Sequence, residues 1–251
     1  MSGHSKWATI KRKKGAADAK RGQVFTRITR EIVMAAREGG GDPGSNFRLR
    51  LALDKAKAQN MPKENIERAI KRGTGESKDG TSFDQVFYEG YAPNGVALMI
   101  ECYTENKNRT VAEIRHLLTR SGGSLGEAGS VGWQFNRAAY FSLQGSEADY
   151  EKIFEAAVMA GAEDVSYDSG YIEVTGPSET FKLISDALDE IKARPEDAEL
   201  RMLPVNELEL STADTLQVLR TIESVEELDD VQNVFHNMKI SEEAMAALEG
   251  E

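Results

Sequence analysis

The first 22 residues, MSGHSKWATIKRKKGAADAKRG, carry seven Lys or Arg and one acid, Asp18. Cations at this density displace the counterions condensed on a phosphate polymer, so the chemistry they suit is polyanion binding. A targeting peptide and a solvated tail without a partner are the competing readings. No apolar segment follows the basic start, which argues against a secretory signal, and Ser2 in place of Gly breaks the myristoylation pattern. The wider charge distribution favours the polyanion. Residues 1–80 hold 19 Lys/Arg and 9 Asp/Glu, residues 81–251 hold 12 and 33, and the whole chain stands at −11. Such a split suggests a phosphate-binding part carried by an acidic part that repels further contact with the same backbone.

The cations expected to meet nucleic acid are Lys6, Lys11, Arg12, Lys13, Lys14, Lys20, Arg21, Arg30, Arg48, Lys55, Lys57, Lys63 and Arg72. Glu64–Arg68, Glu67–Lys71 and Arg50–Asp54 are i,i+4 pairs, whose cations are partly engaged on their own helix. Arg48 and Lys55 lie seven apart, as do Arg50 and Lys57, so each pair projects from one helix side. Trp7 either stacks on a base or anchors the segment to the protein body. No helix-turn-helix, zinc finger or ribonucleoprotein motif is visible, which leaves recognition of backbone and shape rather than of base edges.

Catalytic chemistry has little to work with. His4, His116 and His236 share no local motif, and Cys102 sits in the apolar run VALMIECYT as a buried thiol. Metalloprotease, nucleophile-elbow, Walker and EF-hand patterns are missing, so no enzyme, metal or cofactor is expected. Asp229-Asp230 reads as a solvated acidic surface. Asn108-Arg109-Thr110 matches a glycosylation sequon, relevant only to a secreted chain. In GGSLGEAGSVGWQF, glycines at 123, 126, 129 and 132 suit either a phosphate loop or a structured hinge; Glu127 and the lack of a lysine favour the hinge.

The elements that must position these residues follow from periodicity. Val24, Phe25, Ile28, Ile32, Ala35 and Ala36 mark a first helix, stopped by Gly39-Gly40-Gly41. FRLRLALDKAKAQ is a second, with Leu49, Ala52, Leu53 and Ala56 inward, and Pro62 opens a third that Gly73 ends. QVFYEGYA and VALMIECYT flank Asn94-Gly95 as a hairpin, and Thr110 with Glu113 reads as a capping box. RAAYFSL, DYEKIFEAAVMAG, DVSY, YIEVTG, ETFKLISDALDEI and AELRMLP give βαββαβ, a ferredoxin-like order. NELEL, a helix from Ser211-Thr212, and VQNVFHNM would complete the earlier ββα. The expected architecture is α+β: a basic arm (1–22), a three-helix domain (23–78), a discontinuous middle domain (79–130 and 204–251), and an inserted ferredoxin-like domain (131–203). No apolar run is long enough to span a membrane.

GHSKWATIKRKKGAADAKRGQVFTRITREI, DPGSNFRLRLALDKAKAQNMPKENIERAIKRGTG, YEGYAPNGVALMIE, TENKNRTVAEIRHLL and GGSLGEAGSVGWQF closely resemble the YebC family. The resemblance runs through the whole chain. It implies three N-terminal helices followed by two α+β domains, one interrupting the other, in a cytoplasmic bacterial protein. Members are labelled probable transcriptional regulators that bind DNA. Others, including a mitochondrial translational activator, are ribosome-associated, and some ease synthesis of proline-rich stretches. The resemblance therefore implies a non-enzymatic regulator of gene expression bound to DNA, or to ribosomal RNA or tRNA. The acidic domains would set geometry or engage protein partners; a protein-interaction module whose basic arm grips acidic proteins is the third reading. SEEAMAALEGE looks like a variable tail.

Overall fold

The computed structural model describes residues 18–76, 83–168 and 170–249. They form two compact units: one runs to Ser130 and takes up Val218–Val234, and the other comprises Val131–Gln217 and the chain from Phe235 onward.

The first unit begins with α1 (Asp18–Gly39), α2 (Phe47–Ala58) and α3 (Lys63–Gly73). The predicted inward residues do pack together: Ile28, Ile32, Ala35 and Ala36 of α1 meet Leu49, Ala52, Leu53 and Ala56 of α2 and Ala69 of α3. Asn46 joins two of the helices. Its Oδ1 caps α2 by accepting from the Leu49 amide at 3.0 Å, while its Nδ2 donates to the carbonyls of Ala35 and Gly40 at 2.7 Å each. Pro62 stands at the N-cap of α3, one residue ahead of its first turn. Gly73 is needed for a close approach: a Cβ there would lie 2.5 Å from the Val33 carbonyl oxygen.

The helical core continues into Phe83 and Tyr103, so the bundle shares its interior with a sheet. That sheet has the order β3-β1-β2-β9, built from β1 (Asp84–Tyr91), β2 (Ala97–Thr104), β3 (Ser124–Leu125) and β9 (Val231–His236). β1 and β2 are antiparallel, with Asp84 opposite Thr104 and Tyr91 opposite Ala97. The predicted turn closes them: Asn94 and Gly95 both take positive φ, +62° and +77°, as a tight hairpin connection demands. Cys102 is fully buried in β2. α4 (Lys107–Arg120) and the part of α7 (Thr212–Glu226) from Val218 onward complete the unit. Val218, Leu219, Ile222 and Val225 of α7 are buried.

Two sequence readings of this region need correction, those of α4 and of NELEL, and the glycine-rich segment gains detail. α4 starts a turn before the expected capping box, because Asn106 accepts from the Arg109 amide at 3.1 Å and caps the helix there. Thr110 is consequently an interior residue, fully buried. The glycine-rich segment is stitched to β1: β3 pairs at Gly90–Leu125, and Glu89 takes the Gly126 amide on its carbonyl and the Gly129 amide on its carboxylate, both at 2.8 Å. Last, NELEL does not enter this sheet, whose edge beside β1 is already taken by β3. Its core, β8 (Leu208–Glu209), pairs in parallel with β10 (Met238–Lys239) in the other unit.

That second unit is the ferredoxin-like arrangement. β4 (Phe135–Gln144), α5 (Glu147–Met159), β5 (Asp164–Asp168), β6 (Tyr171–Pro177), α6 (Phe181–Glu190) and β7 (Asp197–Pro204) give a sheet of order β5-β6-β4-β7, every neighbour antiparallel. Ser146 forms a full capping box with Asp149 at the start of α5. Phe141 turns toward the helices and stacks on Phe181, centroids 4.8 Å apart. The stretch expected to be a variable tail contains α8 (Glu242–Glu249), which buries Ala244, Met245 and Leu248. No helix among the described residues is long and apolar enough to cross a membrane.

Candidate nucleic-acid interface

Of the cations expected to meet phosphate, Lys6, Lys11, Arg12, Lys13 and Lys14, together with Trp7, lie outside the described residues, as do the side chains of Lys20 and Arg21. The remaining six have definite surroundings. Lys57 and Lys63 are exposed, and each pairs with an acid of its own helix: Asp54 at 2.8 Å and Glu67 at 3.5 Å. These pairs replace the expected Arg50–Asp54 and Glu67–Lys71 pairing; Arg50 instead lies over the Phe47 ring, 5.1 Å from its centroid. Exposed pairs are worth only about 0–1 kcal/mol, so a phosphate competes with them easily.

The other four are turned into the protein. Arg48 and Lys55 do share one side of α2, but that side faces acids. Lys55 reaches Glu31 of α1 at 3.3 Å, and Arg48 is held by Glu38 and the Tyr103 hydroxyl. Arg30 is only 12% exposed. It lies 2.9 Å from Asp230 Oδ1 and donates to the Asp229 carbonyl. Arg72 reaches Glu105 at 2.6 Å. The guanidiniums of Arg30 and Arg72 also lie over the Phe83 ring, 5.3 and 4.5 Å from its centroid. The six described cations therefore do not make one continuous basic face.

Asp230 organises this region, although its sequence reading was a solvated acid. It is 2% exposed. Its Oδ2 accepts from Arg109 Nη2 at 2.7 Å, and the hydroxyls of Thr110 and Thr104 stand 2.7 and 3.0 Å from the same oxygen. Burial alone would push the carboxyl up. The Arg109 and Thr110 hydrogen bonds, the Arg30 charge and Thr104 outweigh it and hold the group below the usual carboxylate range. The Asp230 carbonyl also accepts the Tyr103 amide at 2.9 Å, which ties β9 to β2. Arg109 escaped the sequence reading because only its place in a sequon was considered. A cue did exist: Asp230 directly precedes the strand β9, VQNVFH, whose first residue is buried, and a charged side chain entering a buried strand has to find a partner.

The arginines line a cleft of about 330 Å³ with Phe25, Thr26, Thr29, Phe83 and Glu105. The ferredoxin-like sheet, by contrast, offers no stacking platform at Tyr140. That ring is 4% exposed, lies 3.6 Å beneath the Arg201 guanidinium, and donates its hydroxyl to Glu173 at 2.6 Å. Among the described residues no group of three His, Cys, Asp or Glu is placed to hold a metal ion.

Helices on a sheet followed by a ferredoxin-like unit make an α+β protein whose architecture recurs in a solved structure. A conserved hypothetical protein of Aquifex aeolicus superposes with a TM-score of 0.81 at 40% identity, covering 90% of this chain and 93% of its own. Residues 5–76 match the model of the TACO1/YebC protein N-terminal domain, and residues 83–238 that of the TACO1/YebC second and third domain. The chain belongs to the TACO1/YebC family. Proteins named "probable transcriptional regulatory protein" are similar over nearly their full length: 53% identity over 250 residues in Acidithiobacillus ferrooxidans (99% of each chain) and 50% over 252 in Chlorobaculum parvum (100% of each).

Proposed function

We propose that the chain is a non-enzymatic, nucleic-acid-binding regulator of gene expression that grips duplex DNA through its cationic N-terminal part. One observation carries this reading: residues 1–80 hold ten more basic than acidic side chains, in a chain whose net charge is −11. The names of the relatives, probable transcriptional regulatory proteins, point the same way. Lys6, Lys11, Arg12, Lys13, Lys14, Lys20 and Arg21 supply the main contact, with Trp7 against a base or against the protein. Lys57 and Lys63 add to it by exchanging a carboxylate for a phosphate. Arg30, Arg48, Lys55 and Arg72 act mainly within the protein, being drawn into internal pairs.

Salt dependence tests the reading. With about six phosphates neutralised, log K against log salt falls with a slope near −5 on duplex DNA. Changing Lys11, Arg12, Lys13 and Lys14 to Ala weakens binding to all sequences alike and flattens the slope; an unchanged slope removes the N-terminal segment from the interface. Structured RNA, met through shape and backbone, is the alternative target, in a ribosome-associated protein that eases synthesis of proline-rich stretches. Sequencing of nucleic acid crosslinked to the protein in cells decides between them: promoter enrichment supports the DNA reading, and enrichment at one ribosomal RNA region or in tRNA overturns it.

A further inference from the structure

We infer that the cleft between α1, the end of α3 and the start of α4 is a seat for one backbone phosphate of a nucleic-acid chain, with Arg109 as its outer contact. The inference rests on the proposed nucleic-acid reading and deepens it, by assigning a phosphate site to a residue outside the basic N-terminal part.

Charge is the first support. Arg30, Arg72 and Arg109 line the cleft, against Glu105 in its wall and Asp230 bonded to two of them. Among the residues that line the cleft, three guanidiniums thus face one carboxylate, a cationic lining that suits a phosphodiester. Acids further out, such as Glu113 one turn along α4 from Arg109, temper this excess without entering the lining.

Orientation is the second support. A flexible arginine loses side-chain entropy on binding, whereas one already held by a partner does not. Arg109 Nη2 is fixed on Asp230 Oδ2 at 2.7 Å while its side chain remains 53% exposed, so a rigid guanidinium faces solvent. Arg72 is steadied by Glu105 and by the Phe83 ring, and Arg30 by Asp230, the Asp229 carbonyl and the same ring. A guanidinium presents its donors in a planar fork that matches phosphate oxygens, which an ammonium does not. Phe25 adds an apolar side chain to the lining, and the volume of about 330 Å³ admits a phosphate with part of its nucleoside.

The competing account makes the three arginines internal staples with no ligand. Two variants of the full chain separate the accounts, using fluorescence anisotropy against salt with a labelled duplex DNA and a labelled single-stranded RNA. Arg109→Gln lowers affinity by about tenfold and reduces the salt slope by about one. Glu105→Gln removes the lining acid and has the opposite effect, tighter binding with a steeper slope; damage to the fold would not produce this. Thermal denaturation of each variant accompanies the titrations. If both variants bind like the wild type with unchanged slopes, the seat is refuted. If the N-terminal lysine and arginine variants then still flatten the slope, the general reading stands without it. If the wild type binds neither polymer, the general reading falls. In that case Arg109-dependent binding of adenosine monophosphate keeps the seat, with a free nucleotide as its ligand, and its absence removes the seat as well.

Discussion

Replacing Asp230 with Asn is the most demanding test of how the first unit holds together. The substitution keeps the volume and removes the charge that Arg30 and Arg109 share. Arg109 is 53% exposed and water replaces its partner cheaply; that half of the loss is below about 1 kcal/mol. Arg30 is 12% exposed and keeps only the Asp229 carbonyl and the Phe83 ring, with no anion, and Asn would present an amide donor where a carboxylate accepted from Arg109, Thr104 and Thr110. Losing one partner of a buried ion pair costs about 3–5 kcal/mol. Since Arg109, at one end of the network, is 53% exposed, the lower bound, about 3 kcal/mol, is the expected total. In melting temperature that is roughly 6–12 °C for a chain of this size. Urea unfolding followed by hydrogen exchange reads the right unit, because the Tyr103 amide donates to the Asp230 carbonyl and reports that contact directly. The sign of the pH effect is fixed too. A carboxyl held below its ordinary value stabilises the fold above about pH 4, and the contribution is lost as pH falls through the lower folded value. The Asn variant therefore loses stability less steeply in acid. A variant within about 0.5 kcal/mol of wild type, or with the same acid limb, refutes the reasoning.

Gly73→Ala places a Cβ 2.5 Å from the Val33 carbonyl oxygen and 2.7 Å from Ala36 Cβ, so α1 and α3 must move apart. The expected cost is about 1–3 kcal/mol in urea denaturation, and a neutral substitution would show that the helices yield freely. Asn46→Ala loses a helix cap and leaves the carbonyls of Ala35 and Gly40 without that donor; about 2 kcal/mol by thermal melting is expected, against a few tenths if solvent takes over both roles. Cys102 is fully buried, and burial with the Asp230 and Glu101 charges nearby pushes its thiol well above the ordinary range. Ellman's reagent should leave the folded protein untouched at neutral pH and titrate it fully in denaturant; rapid native reaction would mean that β2 opens.

Helical spacing alone located the inward faces of α1, α2 and α3, because a small bundle has few ways to bury Ile32, Leu49 and Ala69 at once. The hairpin at Asn94-Gly95 and the ferredoxin-like order were equally legible, being local turn chemistry and simple alternation of elements. What local pattern did not reveal was long-range pairing of polar groups. Asp230 and Arg109 are 121 residues apart, and neither has a sequence neighbour that announces the other. Charge counting found the basic half of the chain, but it could not tell a cation that faces water, such as Lys63, from one bound to an internal carboxylate, such as Arg30. The fate of NELEL was hidden for a related reason: strand propensity does not say which sheet edge is vacant, and β3 had already filled the one beside β1.

Because β9 begins only at Val231, long after its neighbour β2 ends at Thr104, a growing chain emerging from the ribosome carries an unfinished sheet through most of its own synthesis. During that interval β2 has a bare edge, and Arg30 and Arg109 have no Asp230 to meet. The four strands of the ferredoxin-like sheet, by contrast, all fall between Phe135 and Pro204 and are made well before then. The later part of the chain is thus free to fold ahead of the earlier part, reversing the usual vectorial order. Seating β9 beside β2 closes a long loop, at a greater entropic cost than the shorter-range pairings of the ferredoxin-like sheet.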